Sequence, residues 1–187
     1  KISFFMMRML SSRLPVMEEL QRLDVCGPSR CFCCENSGLD SIDHVLCVGE
    51  IPQQVWVSFQ VEVGAFATPS TIKHAFIQWR LRPAKNKLVR LLYQVLPSLI
   101  CWHLWKARNV TLWEGKVLNA MQVYRFVFSD LCDIFQLHYK DMEVGRYSWP
   151  RFYASLVGWK KPTKVILVRW IPPVLNIFKL NTDGCSL

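Results

Sequence analysis

The chain has 187 residues, 51% of them apolar, and carries 23 Lys and Arg against 14 Asp and Glu, a formal charge of +9. Eight Trp and eleven Phe exclude an intrinsically disordered chain and supply the side chains for a buried core. The positive charge favours polyanionic partners, nucleic acid first and anionic membrane surfaces second.

The first 25 residues predict two short helices, the second beginning near Pro15 with its apolar residues on one face. Residues 26–49 contain three glycines and a proline and predict a loop. Residues 52–66 predict a helix with a proline near its start, although their valine content leaves a strand open.

Residues 84–114 and 117–139 predict two longer helices, because their apolar residues recur every three or four positions. In the first of them, Pro97 should kink or split the helix. The apolar run 91–105 is shorter than the roughly 18 to 20 residues that a membrane span needs, so it predicts a buried helix and no membrane insertion.

Residues 30–47, RCFCCENSGLDSIDHVLC, hold four of the eight cysteines and one of the four histidines. The C-x2-C spacing of Cys31 and Cys34 lets one tight turn direct two thiolates at a single ion. His44 and Cys47 follow as H-x2-C, and residues three apart on a helical turn share a face. Together these four residues predict a structural zinc site.

Two alternatives to this ligand set remain open. The cysteines could be ordinary buried or free thiols, and Cys33 could replace Cys34 with some strain.

No secretory signal is recognisable in the first residues, so we expect the nucleus or cytoplasm rather than secretion. In a reducing compartment cysteines bind metal more often than they form disulfides.

A basic segment at residues 80–90, RLRPAKNKLVR, has five Lys or Arg and no acid. It predicts phosphate contacts through Arg80, Arg82, Lys85 and Lys87, with a merely solvated helix start as the alternative. The segment 102–109, WHLWKARN, also interleaves Trp with Lys106 and Arg108, but the helical spacing of its Trp residues favours the core.

Three stretches, in this order, resemble plant non-LTR (LINE-type) retrotransposon reverse transcriptases. KISFFMMRMLSSRLPVMEELQRL, followed by CFCC and SIDHVLCVGEIPQQVW, is similar to their zinc-binding region. ICWHLWKARNVTLWEGK resembles the tryptophan-rich helix that follows it, and WIPPVLNIFKLNTDGCS resembles the start of a ribonuclease H-like domain. The commoner family pattern places the last cysteine five residues after the histidine, where this chain has Gly49, so Cys47 is the expected fourth ligand.

The resemblance implies four regions. They are a reverse-transcriptase-type zinc-binding domain (1–66), a helical linker region (67–140), an irregular linker (141–176) that includes an extended segment at 164–170, and the truncated first strand of a ribonuclease H-like domain (177–187). The expected fold is therefore mainly α, with helical bundle-like segments around a small zinc knuckle and an isolated C-terminal strand.

The resemblance also implies a function. Ribonuclease H uses two divalent ions held by several carboxylates, of which Asp183 would be the first, and this chain has neither the others nor their sheet. We therefore expect Mg²⁺ to act as a cofactor only in an intact ribonuclease H domain and not in this chain. We expect a non-catalytic, zinc-binding segment of a retrotransposon polyprotein that interacts with RNA or an RNA–DNA hybrid. Part of a ribonuclease H with an incomplete active site, or a decayed reading frame without function, are the alternatives.

Overall fold

The computed structural model describes residues 1–34, 38–64, 68–139, 148–160 and 174–175. These residues form seven α-helices, one π-helical turn and one isolated antiparallel bridge, with no strand among them. The helices are α1 (Ile2–Leu10), α2 (Met17–Gln21), α3 (Glu50–Val63), α4 (Ile72–Arg80), α5 (Lys87–Glu114), α6 (Ala120–His138) and α7 (Trp149–Gly158), and the π-helical turn is His44–Val48. The mainly helical prediction is confirmed, and α3 is a helix rather than a strand. The predicted strand at 177–187 and the extended segment 164–170 lie outside the described residues.

Helix α5 is the longest element and runs without a break through Pro97. It begins at Asn86, whose side chain accepts hydrogen bonds from the N–H groups of Leu88 (2.9 Å) and Val89 (3.0 Å). It ends at Gly115, whose φ of 68° lies in the left-handed region that favours glycine. Pro97 is buried with its apolar neighbours, and this packing offsets the backbone hydrogen bond that proline removes. The expected split at Pro97 is therefore wrong.

One continuous hydrophobic core extends from Phe5 to Leu156. Helix α5 lies at its centre and packs against α1, α3, α4, α6, α7 and the π-helical turn. The core crosses residue 66, because α3 before that position packs against α6 and α7 after it. Its largest fully buried side chains are aromatic: Trp56, Trp79, Trp149, Phe59, Phe135 and Phe152.

Helix α7 lies within residues 141–176, where an irregular linker is predicted; of that segment the structure describes residues 148–160 and 174–175. Pro150 lies in its first turn, where a missing backbone N–H costs nothing. Trp149, Phe152 and Leu156 are buried on one side of the helix, which packs against α3 and α5. These three residues therefore form the core-facing side of the helix.

None of the helices in the described parts of the chain is long and apolar enough to cross a membrane. The apolar run 91–105 lies within α5, where most of its side chains are buried. The prediction of a buried helix at this position is confirmed.

Candidate metal centre

Residues 26–34 and 38–43, which we call the knuckle, lie between α2 and the π-helical turn and pair with each other. The N–H of Cys31 donates to Gly38 O (2.8 Å), and the N–H of Asp40 donates to Ser29 O (2.8 Å). These bonds flank the antiparallel bridge between Arg30 and Leu39. The returning chain therefore holds Cys31 against Gly38 and leads directly into the turn that carries His44.

Three of the four predicted zinc ligands converge. The ligand atoms of Cys31, Cys34 and His44 all lie within 4.8 Å of one another. Both thiols are buried, and the three side chains line a small cavity of about 20 Å³. Ligand atoms on a tetrahedral zinc ion, at 2.0 to 2.3 Å from it, are about 3.4 to 3.8 Å apart, so a small contraction would bring these three into coordination distance.

The imidazole of His44 is fixed in position by its neighbours. Its backbone N–H donates to Ser41 Oγ (3.1 Å). A Cβ at Gly38 would lie 2.6 Å from Nδ1 and 2.8 Å from Nε2, so only glycine lets the ring pack this closely. Nε2 is buried without a hydrogen-bond partner among the described residues. A buried nitrogen without a partner is costly, and a metal ion would satisfy it, so the residues present fit zinc.

The pKa values of the neighbouring thiols are shifted in opposite directions. Hydrogen bonds from Cys33 and Cys34 hold the pKa of Cys31 far below its usual range, while the bond to Cys31 and burial raise the pKa of Cys34. The N–H groups of Glu50 and Ile51, in the first turn of α3, act in the opposite direction on Cys34. Zinc binds thiolates, so an ion here would replace the protons that now join the sulfurs.

Cys47 does not join the three converging ligands among the described residues. It lies in the π-helical turn, where the N–H of Gly49 donates to His44 O (2.8 Å) across five residues. A π-helix has more residues per turn than an α-helix, so residues three apart no longer share a face. The thiol of Cys47 is fully buried instead, and burial raises its pKa to about 12.

Two other residues border the place where a fourth ligand would sit. A Cβ at Gly49 would lie 3.3 Å from both Cys34 Sγ and His44 Nε2, so this backbone position faces the centre directly. Cys33 lines the same cavity and its thiol contacts Cys31 and Thr111. Among the described residues, three ligands therefore converge, and Gly49 borders the place that a fourth ligand would occupy.

Residues 1–56 match the family model described as zinc-binding in reverse transcriptase. This part of the chain is therefore similar to the zinc-binding region of reverse transcriptases, and we call it the zinc-binding region. No curated protein and no solved structure matches the chain. The family match includes every converging ligand and ends within α3.

A buried ion pair joins the zinc-binding region to α5. Arg108 Nε donates to Asp40 Oδ1 (3.0 Å), and its Nη2 donates to Oδ2. Asp40 is 1% exposed and Arg108 is 4% exposed. Asp40 Oδ2 also accepts from the N–H of Met17 (2.8 Å), which lies in the first turn of α2. Asp40 therefore connects the knuckle to two helices, and Arg108 is not available for phosphate.

Other polar contacts connect the π-helical turn of this region to its surroundings. The indole N–H of Trp56 donates to Leu46 O (2.8 Å), which fixes α3 against the turn. Asp43 Oδ1 accepts from the N–H of Ile72 (2.8 Å) at the start of α4, where a negative charge is favourable. The turn that carries His44 is therefore held by hydrogen bonds to α3 and to the start of α4.

The four basic residues predicted to contact phosphate have different surroundings. Arg82 and Lys85 line one groove and Arg80 lines another. The guanidinium of Arg82 lies 5.8 Å above the ring of Tyr93, and the ammonium of Lys87 lies over two aromatic rings at 4.9 and 5.4 Å. Their role stays a prediction. Asp183, the predicted first carboxylate of a ribonuclease H site, lies outside the described residues.

Sequence reasoning missed Asp40 and Gly38 as parts of the site, whereas it named Gly49 as the place of the usual last cysteine. A glycine followed two residues later by an acid, inside a cysteine-rich loop, is a signal for a tight backbone return and a polar anchor. Nothing in the sequence indicates that the partner of Asp40 lies 68 positions further on.

Proposed function

We propose that the zinc-binding region holds one structural zinc ion through Cys31, Cys34 and His44. The observation that carries this is the convergence of two buried thiols on a buried imidazole nitrogen that has no other partner. When bound, zinc would supply a link between the knuckle and the π-helical turn. Cys47 and Cys33 are the thiols that could complete the coordination after a local shift, and water is the alternative fourth ligand.

A structural role is supported by the lining of the cavity, since its described residues include no group placed to react with a substrate. Apart from the ligands, Cys33, Arg108 and Thr111, it is lined by apolar side chains from the π-helical turn, α3, α5 and the segment after α5. Arg108 is already neutralised by Asp40. A catalytic zinc site needs an open position that a substrate can reach and a group that exchanges protons with it.

Cobalt substitution tests the ligand set. The zinc-loaded chain should hold one ion, and its Co²⁺ form should show tetrahedral absorption with thiolate charge-transfer bands. Cys31→Ser and His44→Ala should each lower metal affinity by at least about 100-fold, because each removes a direct ligand. Cys26→Ser is the matched control, since Cys26 is an exposed thiol in the same knuckle. Unchanged affinity in the ligand variants would refute the site.

The same assay identifies the fourth ligand. If Cys47→Ser reduces the thiolate bands, then Cys47 enters the coordination sphere and the π-helical turn rearranges on binding. If Cys33→Ser reduces them, the knuckle tightens instead. If neither does, water completes the set, and Gly49→Cys should add a thiolate band, although its Cβ would lie only 2.7 Å from His44 O.

We propose further that the chain is a non-catalytic, intracellular segment of a plant non-LTR retrotransposon polyprotein that interacts with RNA or an RNA–DNA hybrid. The +9 charge and the basic segment 80–90 support the interaction. The segment 177–187 would begin a ribonuclease H-like domain, of which Asp183 would be the first metal-binding carboxylate.

Salt-dependent binding to a labelled RNA–DNA hybrid tests this proposal. Affinity should fall steeply with salt, and charge reversal at Arg80, Arg82, Lys85 or Lys87 should each reduce the log–log slope by about one. Arg125→Glu, at an exposed site on α6, is the charge-matched control. If the affinity for the hybrid depends neither on salt concentration nor on these substitutions, the interface is not electrostatic. With Mg²⁺ the hybrid should stay uncut, whereas cleavage lost in Asp183→Asn would restore the nuclease alternative.

A further inference from the structure

A groove of about 630 Å³ opens between α1, the knuckle and the last turns of α5. We call it the aromatic groove, because six of its lining residues carry aromatic rings: Phe4, Phe5, Phe32, Trp102, Trp105 and Trp113. It is separate from the metal cavity, although Arg108 borders both.

The floor and the walls of the aromatic groove differ in exposure. Phe5 packs against Trp102 (ring centroids 5.4 Å apart) and Trp105 (6.2 Å), and these contacts form a floor that belongs to the core. The wall rings are exposed: Trp113 by 81%, Phe4 by 61% and Phe32 by 41%. Three large exposed rings, each from a different element around one groove, are not explained by the folding of the chain.

The charged side chains that line the aromatic groove, among the described residues, are all basic. Among the described residues, its lining contains Lys1, Arg8 and Arg108 and no acidic side chain. Asp40 neutralises Arg108, but Arg8 bonds only through Nε to Arg13 O (3.1 Å) and lies 5.8 Å above the ring of Phe4. Its two terminal nitrogens have no hydrogen-bond partner among the described residues and can therefore reach an anion at the rim of the groove.

We propose that the aromatic groove binds single-stranded nucleic acid, with Phe4, Phe32 and Trp113 stacking on unpaired bases and Arg8 contacting the phosphate backbone. Aromatic faces accept any base, and a cationic rim follows the backbone, which is how sequence-tolerant single-strand binders work. A duplex hides its base faces, so it would gain only the phosphate contact. This inference rests on the nucleic-acid interaction proposed above and assigns its location and its preferred ligand.

Phe32 connects the groove to the metal centre. It lies between Cys31 and Cys33, so the ion that fixes the knuckle would also fix the position of this ring. Zinc would therefore support single-strand binding by orienting one stacking residue, without touching the nucleic acid itself.

Fluorescence anisotropy with two labelled probes tests the proposal on the zinc-loaded full chain. One probe is a short single-stranded RNA, and the other is a sugar–phosphate strand of the same length without bases. Trp113→Ala, Phe4→Ala and Phe32→Ala should each weaken binding to the RNA by about 5- to 150-fold and leave binding to the abasic strand unchanged. The salt dependence of RNA binding should stay the same in these variants, because no phosphate contact is lost.

Two further variants separate stacking from other effects. Trp113→Phe should retain most of the affinity, whereas Trp113→Leu, which keeps apolar bulk, should lose as much as Trp113→Ala. Phe126→Ala is the matched control, because Phe126 is an exposed ring (49%) on α6, outside the groove. Its binding to both probes should equal that of the wild type.

The outcomes are distinguishable. If the wild type binds RNA and the groove variants bind it equally well, the aromatic groove is wrong and the nucleic-acid function stands. Equal losses on both probes would also overturn stacking. If the wild type binds neither probe, both proposals fall. Groove variants that instead dissociate a dimer of the wild type would assign the groove to a second copy of the chain.

Discussion

The knuckle and the helices α3–α7, which we call the helical body, are stabilised by different interactions. In the described part of the knuckle the buried side chains are two thiols, one carboxylate and one isoleucine. In the helical body the largest buried side chains are tryptophan and phenylalanine rings. The comparison shows that one chain can combine a region built on ligands and charges with a region built on apolar burial.

The difference has an energetic scale. A buried aromatic side chain removes about 150 to 250 Å² from water, which at about 25 cal/mol/Å² is worth about 4 to 6 kcal/mol before entropic costs. The knuckle has no such ring in its interior, since Phe32 is exposed. Its local stability therefore depends on the metal ligands and on the Asp40–Arg108 pair.

Removing zinc should produce the largest contrast between the two regions. Metal binding in small zinc domains contributes on the order of 10 kcal/mol to folding. We expect a chelator to abolish amide-exchange protection at Cys31 and Asp40, while α5 and α6 keep theirs. Hydrogen exchange read by mass spectrometry resolves the two regions in one sample. Equal protection of the knuckle with and without metal would show that the polar contacts alone hold it.

Breaking the buried ion pair should have the next largest effect. Asp40→Asn keeps the shape of the side chain but leaves the guanidinium of Arg108 buried without a counter-charge, which costs about 3 to 5 kcal/mol. Urea unfolding of the zinc-loaded chain measures the free energy of unfolding. The control is Glu19→Gln, which breaks the exposed pair with Arg22 (2.8 Å) and should cost at most about 1 kcal/mol. Similar losses in both variants would mean that Asp40 is not a special anchor.

A single added methyl group should have the smallest effect of the three. In Gly38→Ala the new Cβ would displace the imidazole of His44, and we expect zinc affinity to fall about 10- to 100-fold, the range for groups that orient a ligand. Gly158→Ala adds the same methyl group at the end of α7, where no described atom beyond its own turn lies within 4 Å of the new Cβ, and should leave zinc affinity unchanged. Competition with a chromogenic chelator compares the two. An unaffected Gly38→Ala would show that the ring can move freely.

The helices of this chain could be predicted from local sequence because their signals are local. The apolar repeats at 84–114 and 117–139 correspond to α5 and α6. The C-x2-C pair and His44 are also local, and they converge as the spacing indicated. Helix α7 was missed because its aromatic residues reveal their role only when α3 and α5 are placed beside them.

Other features depend on geometry that a sequence pattern does not contain. The expectation for Cys47 assumed α-helical periodicity, and the π-helical turn changes which residues share a face. The pairing of Asp40 with Arg108 needs the knuckle to dock on α5, a contact between positions far apart in the chain. The phosphate contacts expected at Arg80, Arg82, Lys85 and Lys87 stay a prediction; the structure places Arg82 and Lys85 in one groove and Arg80 in another.

The position of Arg108 has a consequence for how this region can be inherited. The family match ends at residue 56, within α3, whereas the cation that neutralises Asp40 comes from α5. A recombination event that carried residues 1–56 alone into another gene would transfer the metal ligands together with an uncompensated carboxylate. The shortest segment that can be transferred with its buried charges paired should therefore extend at least to Arg108. A domain boundary drawn at the end of the family match would separate Asp40 from Arg108.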